Sequence, residues 1–258
     1  WYPTAEGLTP AYYTELDVGF SNSKDSRMMA FVVSAIDGTV FFQHNLTAAD
    51  SYSYRVWADT TPPYRVWDSP MGNDFTPHPT GKRSSAAPSF KSANLVTVSA
   101  STMSRNDPWL PDDATELYGN NVFAYADLAS PDGWGPGDVK VPLTGPKSFD
   151  RVYDPSTDPL ASMDSSQAIT TNLFFILNWM HDYFYDAGWT ESAFNPQKSN
   201  KGRGGIEGDP IRAEAQDSGG RNNANASTPA DGGMPRIQMY VWDAVGASGK
   251  VNSPADVA

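Results

Sequence analysis

"TNLFFILNWMHDYFYDAGW", residues 171–189, decides the architecture of this chain. Leu173, Ile176, Leu177, Met180 and Phe184 recur at the three- and four-residue intervals that collect side chains on one face of an α-helix. Phe174, Trp179, Tyr183 and Tyr185 widen that stripe until most of the circumference is apolar, which marks a central helix rather than a surface one. Upstream, Asp164 and Gln167 have the spacing of a capping box, and Gly188 stands where a helix stops. The pattern predicts a helix from near Asp164 to about Ala187. Within it His181 and Asp182 are neighbours. Two metal ligands on one helix face need a spacing of three or four, whereas adjacent positions diverge by roughly 100°. The pair therefore reads as architecture, a histidine hydrogen-bonded inside the core.

On either side of the helix the chain reads as strands and loops. "YYTELDVGF" (12–20) alternates, "RMMAFVVSA" (27–35) is continuously apolar, and Asp37-Gly38 is a hairpin signal leading into "TVFFQHNLT" (39–47). Three such strands make a meander too small to be stable without a cover. Tyr54-Arg55-Val56-Trp57 then recurs as Tyr64-Arg65-Val66-Trp67 around Thr-Thr-Pro-Pro, which predicts two short extended arms joined by a proline turn. Pro- and Ser-rich sequence continues to about Ser89 and marks a domain boundary. "NLVTVSAST" (94–102) and "NVFAYADL" (121–128) read as strands again, as does "RIQMYVWD" (236–243) after the helix. Taken together the pattern is α+β.

Composition narrows the partners. Formal charge is −12 over 258 residues, so nucleic-acid phosphates and anionic membrane surfaces would repel the chain. There is no cysteine, which excludes disulfides, thiolate zinc sites and cysteine nucleophiles. No apolar run approaches the ~20 residues of a membrane span.

Three loops invite a chemical reading. "RNDPWLPDDATE" and "SPDGWGPGD" carry Asp107, Asp112, Asp113, Asp132 and Asp138, oxygen donors of the kind calcium uses, without the spacing of an EF-hand; solvated loop carboxylates are the alternative. "GRGGIEGDP" lacks the lysine and the strand-to-helix context of a phosphate cradle, so its glycines serve a tight turn. No Gly-x-Ser-x-Gly elbow occurs. "RNNANASTPADGG" is either a polar turn before the strand at Arg236 or an exposed strand edge able to pair with the main chain of a peptide.

With these residues assembled, "TNLFFILNWMHDYFYDAGW", "GRGGIEGDPIRAEAQDSGGRNNANASTPADGGMPRIQMYVWD" and "LYGNNVFAYAD" closely resemble the first half of the catalytic domain of the fungalysin metallopeptidases. The likeness runs over roughly residues 115 to 243. It implies a small antiparallel propeptide sheet, then the mixed β-rich N-terminal lobe of a thermolysin-like peptidase with one long central helix. In residue terms it implies the end of a propeptide at 1–50, a linker and maturation junction at 51–89, the N-terminal lobe at 90–245, and the start of a protease-associated-like domain or linker at 246–258. It also implies secretion, a zymogen still joined to its propeptide, and a protein or peptide substrate.

What the resemblance places on this chain is the substrate edge: Asn222, Asn223, Ala224 and Asn225 resemble the strand that binds substrate main chain beside the zinc. No catalytic residue and no metal ligand is expected here. Fungalysins hold zinc through His-Glu-x-x-His and a downstream glutamate, and that motif is absent from all 258 residues. Zinc, its ligands and the general base are expected beyond Ala258, in the remaining catalytic half of the same protein, with calcium as a second candidate cation. Two other readings stay open: a non-catalytic structural or interaction component of an extracellular assembly, and an inhibitor-like role for a propeptide remnant in a protease cleft.

Overall fold

The computed structural model describes residues 1–5, 7–18, 27–46, 51–70, 72, 90–99, 102, 106–154, 157–246 and 249–252. A two-stranded ribbon of β1 (Tyr2–Thr4) and β2 (Gly7–Thr9) opens the chain. The expected meander follows as β3 (Ala11–Val18), β4 (Arg27–Ser34) and β5 (Val40–Asn45), antiparallel in that order. Its β4–β5 turn closes at Asp37-Gly38, where Gly38 takes φ +79° and the Asp37 carboxylate accepts the Thr39 amide at 3.1 Å. Among its described side chains Ala30 and Ser34 alone are buried, as expected of a sheet too small for its own core.

The second sheet sets β6 (Tyr52–Val56) between β7 (Asn94–Val98), antiparallel, and β9 (Ser148–Phe149), parallel. The third orders β11 (Ala224–Ser227), β12 (Arg236–Val241), β10 (Ile211–Arg221) and β8 (Val122–Ala126); only the β11–β12 pairing is antiparallel. A last ribbon joins β13 (Asp243–Gly246) to β14 (Gly249–Asn252). One long helix, α1 (Met163–Asp186), packs against β6, β8 and β10. This is the α+β architecture anticipated: small antiparallel sheets, a mixed β-rich lobe and a single central helix.

Aromatic side chains hold the helix to the second sheet. Tyr54 is buried with its ring 5.7 Å from Phe149 and from Phe175, 5.9 Å from Phe174 and 6.0 Å from Trp109, centroid to centroid. Burying one such ring is worth about 1.5–3 kcal/mol, so this cluster is the main anchor of the lobe. Polar ties set the register: Asn172 Oδ1, on the helix, accepts the Trp57 backbone amide at 3.1 Å.

Two expectations need correction. The helix is capped by Ser162, whose Oγ accepts the Ser165 amide at 3.1 Å, while Gln167 donates to the Lys140 carbonyl instead of closing a capping box with Asp164. Ser162 has extended backbone (φ −152°, ψ 157°), the conformation that lets a hydroxyl fold back on the first turn. The C-terminal stop is as expected: Gly188 takes φ +109°, its amide reaches the Tyr185 carbonyl, and the Trp189 amide reaches that of Phe184.

The buried face of the helix also differs. Over its last three turns Phe174, Phe175, Asn178, His181, Asp182 and Tyr185 point inward, while Met180, Tyr183 and Phe184 are exposed. Leu173 and Leu177 of the expected stripe are buried in the core with Phe174 and Phe175, and the last turns add buried hydrogen bonds through Asn178, His181 and Asp182, which apolar periodicity does not register.

The segment expected as linker and maturation junction, 51–89, opens with a strand, β6. Tyr52, Tyr54, Val56, Trp57 and Ala58 are all buried in the main core. The two YRVW arms are present and clasp antiparallel: Ala58 bridges Val66, and the Trp67 amide donates to the Trp57 carbonyl at 2.9 Å. The rest of the expected junction, 73–89, lies outside the described residues.

Candidate functional site

Asn222, Asn223, Ala224 and Asn225 lie at the open edge of the third sheet. Every residue of β11 is exposed, and among the described residues its only sheet neighbour is β12. Asn222 turns the chain out of β10 with φ +56°, a left-handed conformation that asparagine tolerates better than most side chains. The Tyr240 amide donates to the Asn223 carbonyl at 3.2 Å, which fixes the phase of the antiparallel pairing. Alternation then directs the main-chain groups of Ala224 and Ala226 away from β12, toward the open side. The Asn223 carboxamide caps the Ala224 amide at 2.9 Å. An edge with this polarity can accept an added strand.

On the face of the sheet opposite the helix, where Tyr125 and Glu214 alternate with the core-facing Ala124, Ala213 and Ala215, four carboxylates converge. Asp127 follows β8, Asp132 comes from the loop after it, and Glu214 and Asp217 lie on β10; one oxygen from each falls within 4.8 Å of the others. Residues three apart on a regular strand face opposite ways. Here Gln216 takes φ +50° and the pairing with β12 slips between Ala215 and Asp217, so a bulge brings Asp217 round to the face of Glu214. Gln238 of β12, buried, donates to Asp132 Oδ1 at 2.9 Å and also to Asp217. Arg236 Nη1 lies 2.7 Å from Asp132 Oδ2, and its Nε lies 3.7 Å from Glu214 Oε2. Tyr125 donates to Glu214 Oε1 at 2.5 Å, and the Gly133 amide to Asp127 Oδ2 at 2.7 Å.

Crowded, buried carboxylates resist ionisation. Burial, aided by Asp127 and Asp217, pushes Glu214 up to about 7 against the pull of Tyr125 and Arg236. Burial likewise raises Asp127 to about 6, with Asp138 and Asp217 adding to the effect and the Gly133 amide opposing it.

Of the five loop aspartates singled out by composition, only Asp132 joins this cluster. Asp138 sits beside it, accepting the Ala129 and Gly135 amides, and Asp112 and Asp113 are exposed. Asp107 is buried in an ion pair with Arg203, which also contacts Glu191 Oε1 at 2.6 Å. Asp127, Glu214 and Asp217 went unnoticed in the sequence because they are dispersed over 91 positions and meet through strand pairing and a bulge.

His181 and Asp182 are architecture. His181 Nε2 meets Asn195 Oδ1 at 2.6 Å, and its Nδ1 lies 3.4 Å from Asp182 Oδ1. Asp182 Oδ2 accepts the Thr102 amide at 2.7 Å, the Thr102 hydroxyl at 3.0 Å and the Trp109 indole at 2.8 Å. His44 lies on β5 and His78 outside the described residues. A catalytic zinc needs nitrogen ligands gathered at one point; the described histidines do not gather, and the acidic cluster offers oxygen alone. The residues present do not fit that metal.

Residues 75–254 match the family described as fungalysin metallopeptidase (M36). The extracellular metalloproteinase 5 of Trichophyton tonsurans is 35% identical over 137 residues, 52% of this chain and 22% of that protein. The extracellular metalloproteinase MEP of Pyricularia oryzae is 35% identical over 137 residues, covering 52% and 21%. The extracellular metalloproteinase 10 of Coccidioides posadasii reaches 42% identity over 108 residues, covering 42% and 16%. The chain thus aligns with about a fifth of the length of these relatives. No helix among its described residues is long and apolar enough to cross a membrane.

Proposed function

The chain belongs to the fungalysin metallopeptidase family, and from that membership we propose that it is the N-terminal portion of a secreted zinc endopeptidase whose task is to hold a peptide substrate extended along β11. Asn222, Asn223, Ala224 and Asn225 bind substrate main chain in this reading. The zinc, its ligands and the general base belong to residues outside these 258. Residues 1–50 act as the end of a propeptide, and 246–258 open a following segment. Support for secretion comes from the relatives, which are described as extracellular.

The observation that carries the reading is the exposed outer edge of β11, phased so that Ala224 and Ala226 present main-chain groups outward, the Ala224 amide resting on the Asn223 carboxamide. Main-chain pairing gives affinity with little dependence on sequence, which suits a general endopeptidase. The exposed Met180, Tyr183 and Phe184 on the central helix support a further covering segment, as expected of the missing catalytic half.

Hydrogen exchange of the purified chain with a short unstructured peptide, and with the same peptide N-methylated along its backbone, tests the proposal. The outward Ala226 amide, and that of Ala224 where the peptide displaces the Asn223 cap, should exchange more slowly with the first peptide and unchanged with the second. Equal behaviour with both, or protection confined to other elements, overturns it.

A further inference from the structure

We propose that Asp127, Asp132, Glu214 and Asp217 bind one divalent cation of calcium's size and oxygen preference, which braces the sheet beneath the edge strand β11. All four donors are carboxylate oxygens, the hard ligands that calcium, magnesium and manganese take, with none of the nitrogen or sulfur that draws zinc or copper. Ligand number separates the first group. Calcium takes six to eight oxygens and accepts several carboxylates, whereas magnesium keeps most of its waters and takes one or two. Four carboxylates with one oxygen each within 4.8 Å of the others suit calcium.

Proximity of acids alone would not carry this. The second observation is that two of the four are unfinished as a hydrogen-bonded network. Asp127 and Glu214 are each 0% exposed, and Asp127 Oδ1 and Glu214 Oε2 are buried without any hydrogen-bond donor. The Arg236 guanidinium lies 3.7 Å from Glu214 Oε2, too far to donate, and is already bonded to Asp132. Buried carboxylate oxygens in folded proteins are paired, hydrogen-bonded or bound to metal. A divalent ion held by these two carboxylates with Asp132 and Asp217 supplies the missing partner and offsets the mutual repulsion of four acids, which the neighbouring guanidinium groups of Arg236 and Arg212 meet only in part.

The ligands come from β8, the loop after it and β10, and Gln238 of β12 binds two of them. An ion here therefore ties three neighbouring strands and the 128–138 loop together, directly under the pairing that positions β11.

Terbium, an ion close to calcium in size, reports the location as well as the binding. Trp134 stacks edge-on against Tyr125 at 5.4 Å, and Tyr125 bonds Glu214, so an ion in the cluster lies beside an indole. In the chelator-stripped 258-residue chain, tryptophan-sensitised terbium emission should saturate at one ion and be displaced by calcium. Trp134→Phe should dim the emission and leave calcium affinity, measured by calorimetry, unchanged. Asp217→Asn should lower calcium affinity by ~10-fold or more. Emission that survives Trp134→Phe undimmed, an equal response to magnesium, or no calcium heat up to millimolar concentration overturns the proposal. If Asp217→Asn does not fold, the wild-type and Trp134→Phe titrations decide it.

Discussion

Gln238 donates to Asp132 Oδ1 at 2.9 Å while its own backbone pairs opposite Asn225, so a single residue of β12 joins the exposed edge of the sheet to the buried acids below. The same amide nitrogen also reaches Asp217. Gln238→Leu removes a donor shared by two carboxylates and leaves both short of a partner. The expected loss is about 1–3 kcal/mol in urea unfolding with chelator present, the cost of stranding the buried acceptor Asp217, Asp132 being exposed. With saturating calcium the loss should shrink, since the ion supplies a partner to the carboxylates that lose the amide donor.

Glu214 and Asp127 set a pH dependence of unusual sign for carboxylates. Their folded values, about 7 and about 6, lie above the ordinary range near 4. The native state therefore holds their protons more tightly than the unfolded chain. The stability they contribute is present in full below about pH 4 and is lost as pH rises through 6 and 7. In chelator, the melting temperature should fall between pH 5.5 and 8. Glu214→Gln, which keeps the contact with Tyr125, should flatten that slope. An unchanged slope in this variant shows that other groups govern the titration.

Asp182 takes three donors on one oxygen, two from Thr102 and one from the buried Trp109 indole. Asp182→Ala strands all three, and a hydrogen bond to a charged acceptor is worth about 1.5–3 kcal/mol. A loss of about 3 kcal/mol or more is expected by urea unfolding, with a red-shifted tryptophan emission. Asp182→Asn keeps one acceptor oxygen and should recover part of that loss.

The helix shows how far the sequence could be read. Apolar periodicity placed it within a residue or two of Met163–Asp186, and Gly188 ended it for the reason glycine usually does, freedom at positive φ. Periodicity placed Leu173 and Leu177 inward but missed the orientation of the last turns, because Asn178, His181 and Asp182 are buried through partners 14 to 80 positions away. The edge strand was legible from asparagine chemistry and the family resemblance. The acidic cluster was not, because it exists only once β8 and β10 pair in parallel and the bulge at Gln216 turns Asp217 inward.

Ser162, two residues upstream of the anticipated cap, gives a direct check of the helix start. Its Oγ accepts the Ser165 amide at 3.1 Å. Ser162→Ala should cost about 0.5–2 kcal/mol, read from thermal or urea unfolding, whereas Asp164→Ala, at an exposed position outside the cap, should cost less. The reverse order returns the cap to Asp164.

Asn225 separates substrate binding from stability. It lies on the exposed β11, opposite Gln238, and its side chain projects from an edge whose neighbours on the open side are solvent. Surface substitutions of this kind stay within about 0.5 kcal/mol of wild type, because no packing is lost. If the asparagines of this edge bind substrate, Asn225→Ala should weaken peptide affinity several-fold, read by fluorescence anisotropy with a labelled peptide, and leave the melting temperature nearly unchanged. A peptide paired only through its main chain would be indifferent to the side chain, so unchanged affinity would narrow the site to the backbone of Ala224 and Ala226. A large fall in melting temperature with affinity intact would instead make Asn225 a structural residue of the β11–β12 pairing and remove it from the substrate edge.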